Sequence, residues 1–296
     1  MAAEVTRYML GASGDRFLDC TAGGGGHIDK LLRSVDRPIK IFGIDLDPDA
    51  IERCSERFRA NENVKVVRGD YGRLKELAGR MGWGGFAAIL ADFGQSSDQL
   101  EDSSKGMSYR WDSPLDMRYD PTSSPSAAEI VNEADYRELV RIFGGLGGER
   151  RAPSIAKSVI RSRPMTTTSE LKVAITRVIG QNFLNKTLSR CFMGLRVAVN
   201  RELEAIEQFL PEAMDLLAPQ GRLVCLTFDS SQDVRIKNFF RSRANPCICP
   251  PKLPVCLCGR KPNLKILTPR SERPSQEEEA ANPRSRSAHL RVAEKM

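Results

Sequence analysis

The chain has 296 residues, 41% hydrophobic and 28% charged, and carries a formal net charge of +7. That length can bury a substantial core, as one large domain or as a domain carrying an insertion. No run of eighteen apolar residues occurs and the opening "MAAEVTRYMLGASGD" has no basic start followed by a long apolar stretch, which excludes an ordinary membrane-spanning helix or export signal and makes an unexported, cytoplasmic protein the expectation.

In chain order, the first hundred residues alternate strand and helix signals: "RFLDCT", a helix from His27, "IKIFGID", a helix from Pro48, "VKVVRGD", a short helix near Leu74 and then "FAAILADFG". Such alternation predicts a parallel sheet covered on both faces. The second helix has clear start chemistry, with Asp47 placed to cap it, Pro48 as first helical residue, and Ile51, Cys54 and Phe58 recurring at helical spacing. From about Glu101 to Arg190 the strand signals stop, and a polar, proline-bearing stretch leads into helical segments around 133–143, 152–161 and 168–180. Alternation then resumes with a long helix over "VNRELEAIEQFLPEAMDLLAP", a strand "GRLVCLTF", a helix through "VRIKNFF" and short strands at "LKILT" and "HLRVAE". Neither flanking half makes a sheet alone, so residues 1–100 and 191–296 are expected to form one discontinuous α/β domain and 101–190 a helical insertion. "TPRSERPSQEEEAANPRSRS" reads as an extended surface segment.

Ligands of an open parallel sheet bind outside the carboxyl ends of its strands. Those ends carry Asp19 with the turn "TAGGGGH", Asp45 with Asp47, Asp70 with Tyr71, and Asp92 with "FGQSS". Glycines admit positive φ and close backbone approach, so a ligand is expected on the turn. A Walker loop is excluded because "GGGGHIDK" lacks the required Gly-Lys-Ser/Thr. A dinucleotide fingerprint lacks its third glycine, Ile28 standing there, and Asp19 would repel a pyrophosphate. S-adenosylmethionine fits better: its sulfonium and amino groups are cationic, and Asp45, twenty residues beyond Gly25, is spaced to accept both ribose hydroxyls. A dinucleotide, or acids that merely cap structure, remain the alternatives from these residues alone.

Charge is concentrated. Ten Lys or Arg against one acid lie between Arg235 and Arg273, and six against one between Arg141 and Arg163, the footprint of a polyphosphate partner unless these are solvated surface. Of eight cysteines, Cys20, Cys54, Cys191 and Cys225 fall at apolar positions, as reduced core thiols do. Cys247, Cys249, Cys256 and Cys258 form two C-x-C pairs in "CICPPKLPVCLC". Four thiolates could bind zinc, but structural sites commonly space paired ligands by two to four residues, and the other reading is a proline-stiffened loop with reduced cysteines. No metal is assigned to the ligand crevice.

"CTAGGGGH", "GIDLDPDAI", "ADFGQSSDQL", "KGMSYRWDSPLDMRYDP", "RVAVNRELE" and "NPRSRSAHLRVAEK", in order and across nearly the whole chain, resemble the bacterial S-adenosylmethionine-dependent 16S ribosomal RNA cytosine-N(4) methyltransferases. The resemblance implies a class I methyltransferase (Rossmann-like) sheet with an inserted helical, substrate-recognising domain, and methylation of a cytidine in the decoding region of the small ribosomal subunit. It places cofactor contacts on Gly25, Gly26, His27, Asp45, Tyr71, Asp92 and Gln99. His27 could instead simply begin a helix, Tyr71 could be a core residue, and Gln99 rests on the resemblance alone. Asp92, with Ser96 or Ser97 assisting, is the expected polar wall of the acceptor pocket, where the poorly nucleophilic cytosine amine must be held in line with the methyl group. Arg150, Arg151, Lys157, Arg161, Arg163, Arg284 and Arg286 are the candidates for phosphate contacts that offset splaying the base. The chain departs from the family pattern at Asp229 (usually His), Gln232 and Val234 (Glu and Arg), Met193 and Gly194 (Gln-Ala), Gln95 (aliphatic or small) and Gly148 (an acid), and it lacks a His-containing segment ahead of the first helix. The alternative is therefore a catalytically weak relative acting as an RNA-binding ribosome-assembly factor.

Overall fold

The computed structural model describes residues 1–122, 125–180, 183–250 and 257–296. Its elements follow the expected alternation: α1 (Ala2–Leu10), β1 (Arg16–Asp19), α2 (Gly26–Arg33), β2 (Lys40–Asp45), α3 (Pro48–Arg57), β3 (Val64–Arg68), α4 (Leu74–Met81) and β4 (Phe86–Asp92). Helices α5 (Ser97–Glu101), α6 (Ala127–Glu133), α7 (Tyr136–Val140), α8 (Ala152–Arg161), α9 (Thr168–Thr176) and α10 (Leu184–Val199) come next. The chain then returns through α11 (Glu202–Leu216), β5 (Leu217–Thr227), α12 (Ser230–Ala244), β6 (Leu264–Ile266), α13 (Gln276–Ala281) and β7 (His289–Lys295). Two compact units result, Met1–Gly94 with Glu204–Met296, and Gln95–Leu203.

The first unit holds one seven-stranded sheet of order β3-β2-β1-β4-β5-β7-β6. β7 runs antiparallel to β5 and β6 and the remaining pairs are parallel, the class I methyltransferase arrangement. In β4 the first six of seven residues are buried, as a central parallel strand covered on both faces requires. Leu18, Ile89 and Ala91 pack into one core layer with Phe209 and Phe240, while Phe17, Ala88 and Leu90 pack into the other with Val5, Met9 and Leu31. Strand order reverses between β1 and β4, which are in register at Phe17–Ala88, Leu18–Ile89 and Asp19–Leu90. α1 and α13 were not anticipated from the sequence. α1 buries Val5 and Met9, and α13 interrupts the segment expected to be extended, capped by Ser275 accepting from the Glu278 N–H.

The second unit is helical around its own core of Leu139, Ile142, Phe143, Ile155, Leu171 and Leu195. Where one helix was expected over 133–143, Asp135 caps α7 separately, and α7 runs on into a π-helical turn over Arg141–Leu146. α10 was missed, although Leu184, Leu188, Cys191, Leu195 and Val199 recur at helical spacing. The helix expected from Val199 starts instead at Glu202, because Arg201 takes a left-handed turn with φ 47°. Asn200 is held outside the helix, donating from Nδ2 to the Met117 carbonyl at 2.8 Å and accepting the Tyr119 N–H at 2.9 Å. Tyr119 Oη also donates to Glu202 at 3.1 Å. "DMRYD" and "RVAVNRELE", two of the stretches that carry the family resemblance, thus clasp one another.

Candidate functional site

The site grows from the ends of β1, β2 and β4. After Asp19 the chain crosses to its neighbours: the Cys20 N–H donates to the Leu90 carbonyl at 2.8 Å and the Ala22 N–H to the Ile44 carbonyl at 2.9 Å. Gly23 and Gly25 then adopt φ of 50° and 80°, which turns the chain into α2. A Cβ on Gly25 would lie 2.4 Å from Phe58 Cε2, so packing as well as φ demands glycine there. Gly26 differs. It has an ordinary φ, and a Cβ on it would meet nothing within 4 Å. No protein atom requires glycine at that position, while a ligand lying against the backbone would.

Around this turn stand Asp19, His27, Asp45 and Asp92. Asp19 is fully buried. Its Oδ1 accepts the Thr21 N–H at 3.1 Å, whereas its Oδ2 is buried with no partner. Burial, with added repulsion from Asp92 and Asp45, pushes its carboxyl up to about 6 despite the attraction of His27. Thr21, which sequence reasoning passed over, also accepts the Asp92 N–H on its hydroxyl at 2.7 Å and so fastens β1 to β4 where their order reverses. A hydroxyl two residues beyond a strand-end acid was the available signal. His27 Nε2 lies 3.3 Å from Asp92 Oδ2. Burial opposes protonation of this imidazole, but the bond and charge of Asp92, with Asp19, outweigh it and raise its pKa. His27 Nδ1 and Asp92 Oδ1 are both buried without a partner.

Asp45 accepts the Gly23 N–H on Oδ2 at 2.8 Å and the Asp47 N–H on Oδ1 at 3.0 Å. Burial raises its pKa, partly offset by these amides. A carboxylate has about four acceptor positions, so capacity remains beside these amides for a ribose hydroxyl. The other strand-end acids do structural work: Asp47 caps α3, accepting from the Asp49 N–H at 3.1 Å, and Asp70 caps the short 3₁₀ turn after β3, accepting from the Gly72 N–H at 2.7 Å. Tyr71 is half-buried, its ring edge-on to Phe93 at 5.5 Å and Phe209 at 5.7 Å, so it is packed on the core as one of its two sequence readings required.

Gln99 belongs to the second unit. There it completes a capping box for α5: its Oε1 accepts the Ser96 N–H at 3.0 Å and its own N–H donates to Ser96 Oγ at 3.1 Å. The expectation that Ser96 assists chemistry meets a hydroxyl used as a helix cap, and the side chain of Ser97 lies outside the described residues. Among the expected phosphate contacts, Arg163 is corrected. Its guanidinium donates to the Val131 carbonyl at 2.7 Å and to that of Ala134, closing the carboxyl end of α6, and burial lowers its pKa. Lys157 and Arg161 are exposed and line an open pocket of 320 Å³ with Ser154, Ser158, Ser162 and Arg177. Arg177, outside the basic cluster read from the sequence, reaches it from just beyond α9. Arg150, Arg151, Arg284 and Arg286 are exposed.

Three buried polar atoms without partners, two carboxylate oxygens and an imidazole nitrogen, thus belong to neighbouring residues at the glycine turn. The donor set is anionic and fits the cationic methionine end of S-adenosylmethionine, with Asp45 for the sugar. Comparison with known proteins agrees. The MraW methylase family model matches residues 1–296. The chain is 42% identical over 303 residues to the ribosomal RNA small subunit methyltransferase H of Thermomicrobium roseum, covering 100% of this chain and 92% of that protein. Its identity to the protein of the same name from Carboxydothermus hydrogenoformans is 39% over 299 residues, covering 99% of this chain and 96% of that one.

Proposed function

The chain belongs to the MraW methylase family, and from that premise we propose that it transfers the methyl group of S-adenosylmethionine to the exocyclic N4 amine of a cytidine in the decoding region of 16S ribosomal RNA, with the small ribosomal subunit as substrate and the cytoplasm as its compartment. The observation that carries this reading is the unpartnered set Asp19 Oδ2, Asp92 Oδ1 and His27 Nδ1. Buried polar atoms are nearly always satisfied, and these three sit where the strand order reverses.

S-adenosylmethionine, when bound, supplies a methyl group made electrophilic by the sulfonium. The work of the chain is to hold it and its acceptor. Gly26 leaves room for the nucleoside against the backbone, Asp45 accepts the ribose hydroxyls, and Asp19 accepts from the amino group. Tyr71 offers its outer ring face to the adenine. Asp92 has one oxygen oriented by His27 and one unused; the unused Oδ1 accepts an N–H of the cytosine amine, aligns its lone pair and takes the proton that methylation makes acidic. In the second unit, Lys157, Arg161 and Arg177 bind RNA phosphates.

The test is transfer of labelled methyl to small subunits from a strain lacking this modification, with the nucleosides then separated. N4-methylcytidine is the expected product. Asp92→Asn at saturating cofactor should lower the rate by about a hundredfold or more. Subunits that accept no label, or an Asp92→Asn enzyme that transfers at full rate, would overturn the reading. A catalytically weak RNA-binding relative is disfavoured, because relatives 39–42% identical over 99–100% of the chain are named ribosomal RNA small subunit methyltransferases.

A further inference from the structure

The loop joining α12 to β6 carries a cluster that the methyl-transfer reading leaves unused. Its base is pinned: the Asn245 N–H donates to the Arg241 carbonyl at 2.8 Å, the Asn263 N–H to the Arg243 carbonyl at 3.3 Å and the Met296 N–H to the Asn263 carbonyl at 3.1 Å. Between these ends, none of the described residues is buried, and Ile248 and Leu257 are 66% and 79% exposed. Long connections without secondary structure are uncommon in compact domains unless they serve a function, and the described residues of this one bury no apolar side chain to order it. Its cysteines nevertheless converge. The Sγ atoms of Cys247, Cys249 and Cys258 all lie within 4.8 Å of one another, and those of Cys247 and Cys258 are 3.9 Å apart.

That spacing has a chemical meaning. Thiolates bound to zinc at about 2.3 Å in a tetrahedron stand about 3.8 Å from each other, whereas a disulfide would bring two sulfurs to about 2.0 Å. The Leu257 N–H donates to Cys249 Sγ at 3.3 Å, the kind of bond that stabilises a thiolate and orients it as a ligand. The other cysteines behave differently. Cys20, Cys54, Cys191 and Cys225 are buried in the two units, and burial raises their thiol pKa values, that of Cys54 to about 12.

We propose that Cys247, Cys249 and Cys258 are ligands of a structural zinc ion that closes the 245–262 loop in place of a hydrophobic core. The C-x-C spacing of Cys247 and Cys249, tighter than in common zinc modules, is accommodated because Cys258 reaches them from a separate stretch of the chain. Cys256, the remaining member of those pairs, lies outside the described residues, and the fourth corner is left to experiment. The inference is independent of the crevice and its cofactor.

The full chain, expressed without a histidine tag and purified under reductant without chelator, should carry about one zinc per chain by mass spectrometry of the metal. Cys247→Ser, Cys249→Ser and Cys258→Ser should each reduce zinc content at least tenfold while cofactor titration, which reads the crevice, stays within twofold of the parent. Cobalt replacing zinc should give intense thiolate-to-metal charge-transfer bands and tetrahedral visible bands, whose intensity also counts the thiolates. Trypsin, which has Lys252 and Arg260 to cut in the loop, should cleave the chelated protein at least tenfold faster than the zinc-loaded one. Protein that takes up no zinc when offered it in equimolar amount, retains iron instead, keeps its zinc in all three variants, or gives a cobalt spectrum without thiolate bands would overturn the assignment.

Discussion

Two neighbouring glycines make opposite predictions. At Gly25, alanine must adopt φ 80° and place its Cβ 2.4 Å from Phe58 Cε2. The left-handed conformation costs about 1 kcal/mol and the overlap about 1–3 kcal/mol more, so Gly25→Ala should lose about 2–4 kcal/mol of stability. At Gly26 the Cβ meets nothing within 4 Å, the residue opens α2, and alanine there narrows the unfolded ensemble. Gly26→Ala should therefore stabilise the ligand-free protein by about 0.5 kcal/mol. The same methyl group occupies the space assigned to the nucleoside, so its cofactor affinity should fall at least tenfold, about 1.4 kcal/mol. Urea unfolding followed by tryptophan fluorescence reads the first unit well, since Trp83 is buried there against Phe42 at 4.9 Å. Titration calorimetry reads the cofactor. A Gly26→Ala protein that binds S-adenosylmethionine as tightly as the parent would refute the ligand argument, and one that is destabilised would refute the packing argument beneath it.

The carboxyl of Asp19, raised from 3.8 to about 6, favours the folded state below the ordinary carboxylate range and loses that contribution as pH rises through about 6, up to about 3 kcal/mol. Ligand-free stability relative to Asp19→Asn should fall over that window, cofactor affinity should rise across it, and binding near pH 5.5 should release protons, seen as a buffer-dependent heat; a pH-independent affinity would sink the assignment of Asp19. Asp233, whose burial opposes ionisation but is outweighed by the Arg291 fork at 2.6 and 2.9 Å, ties α12 to β7. Asp233→Ala should cost about 3–5 kcal/mol by leaving Arg291 buried and unpaired, measured by urea midpoint with methyl transfer retained at low temperature. Lys157→Ala with Arg161→Ala should weaken subunit binding and reduce the steepness of its salt dependence by about two counterions, and an unchanged slope would remove the pocket from the RNA surface. Asp229→His should lose about 1 kcal/mol by removing the cap of α12 and leave the transfer rate within twofold.

The sheet was legible because its signals are local. β4 is a short apolar run ending in an acid, and α3 announces itself through Asp47 and Pro48. The crevice was legible in outline because strand-end acids and a glycine turn are sequence-adjacent features. Its finer division was not: nothing local separates Asp70, which caps the 3₁₀ turn after β3, from Asp45, which accepts the Gly23 N–H of the glycine turn, since the difference lies in where the next turn points. Arg163 looks like its basic neighbours until the carboxyl end of α6 is seen to need a donor. α10 was overlooked for another reason. Its helical spacing is clear, but the break before the helix from Glu202 depends on Asn200 reaching Met117, more than eighty positions away in sequence.

The departures from the family pattern take on a physical meaning once placed. Asp229, where the resemblance implies histidine, accepts the Ser231 and Gln232 N–H groups at 2.8 and 3.0 Å, so the carboxylate is a helix cap. Gly194 lets α10 lie against the π-helical turn: a Cβ there would come within 2.4 Å of the Ile142 carbonyl oxygen and 2.8 Å of the Gly147 nitrogen. Gly148 takes φ 67°, a conformation that an acidic side chain would strain, and the acid next to it, Glu149, is buried 3.6 Å from Arg190. Gly194 therefore lets the helices approach more closely than alanine would allow, whereas at Gly148 a Cβ would meet nothing within 4 Å and the backbone conformation alone favours glycine. Nothing in the structure explains Val234. The contacts of Asp229 and Gly194 lie away from the turn, Asp19 and the His27–Asp92 pair, so these changes adjust local capping and helix packing and leave the cofactor chemistry of the crevice intact.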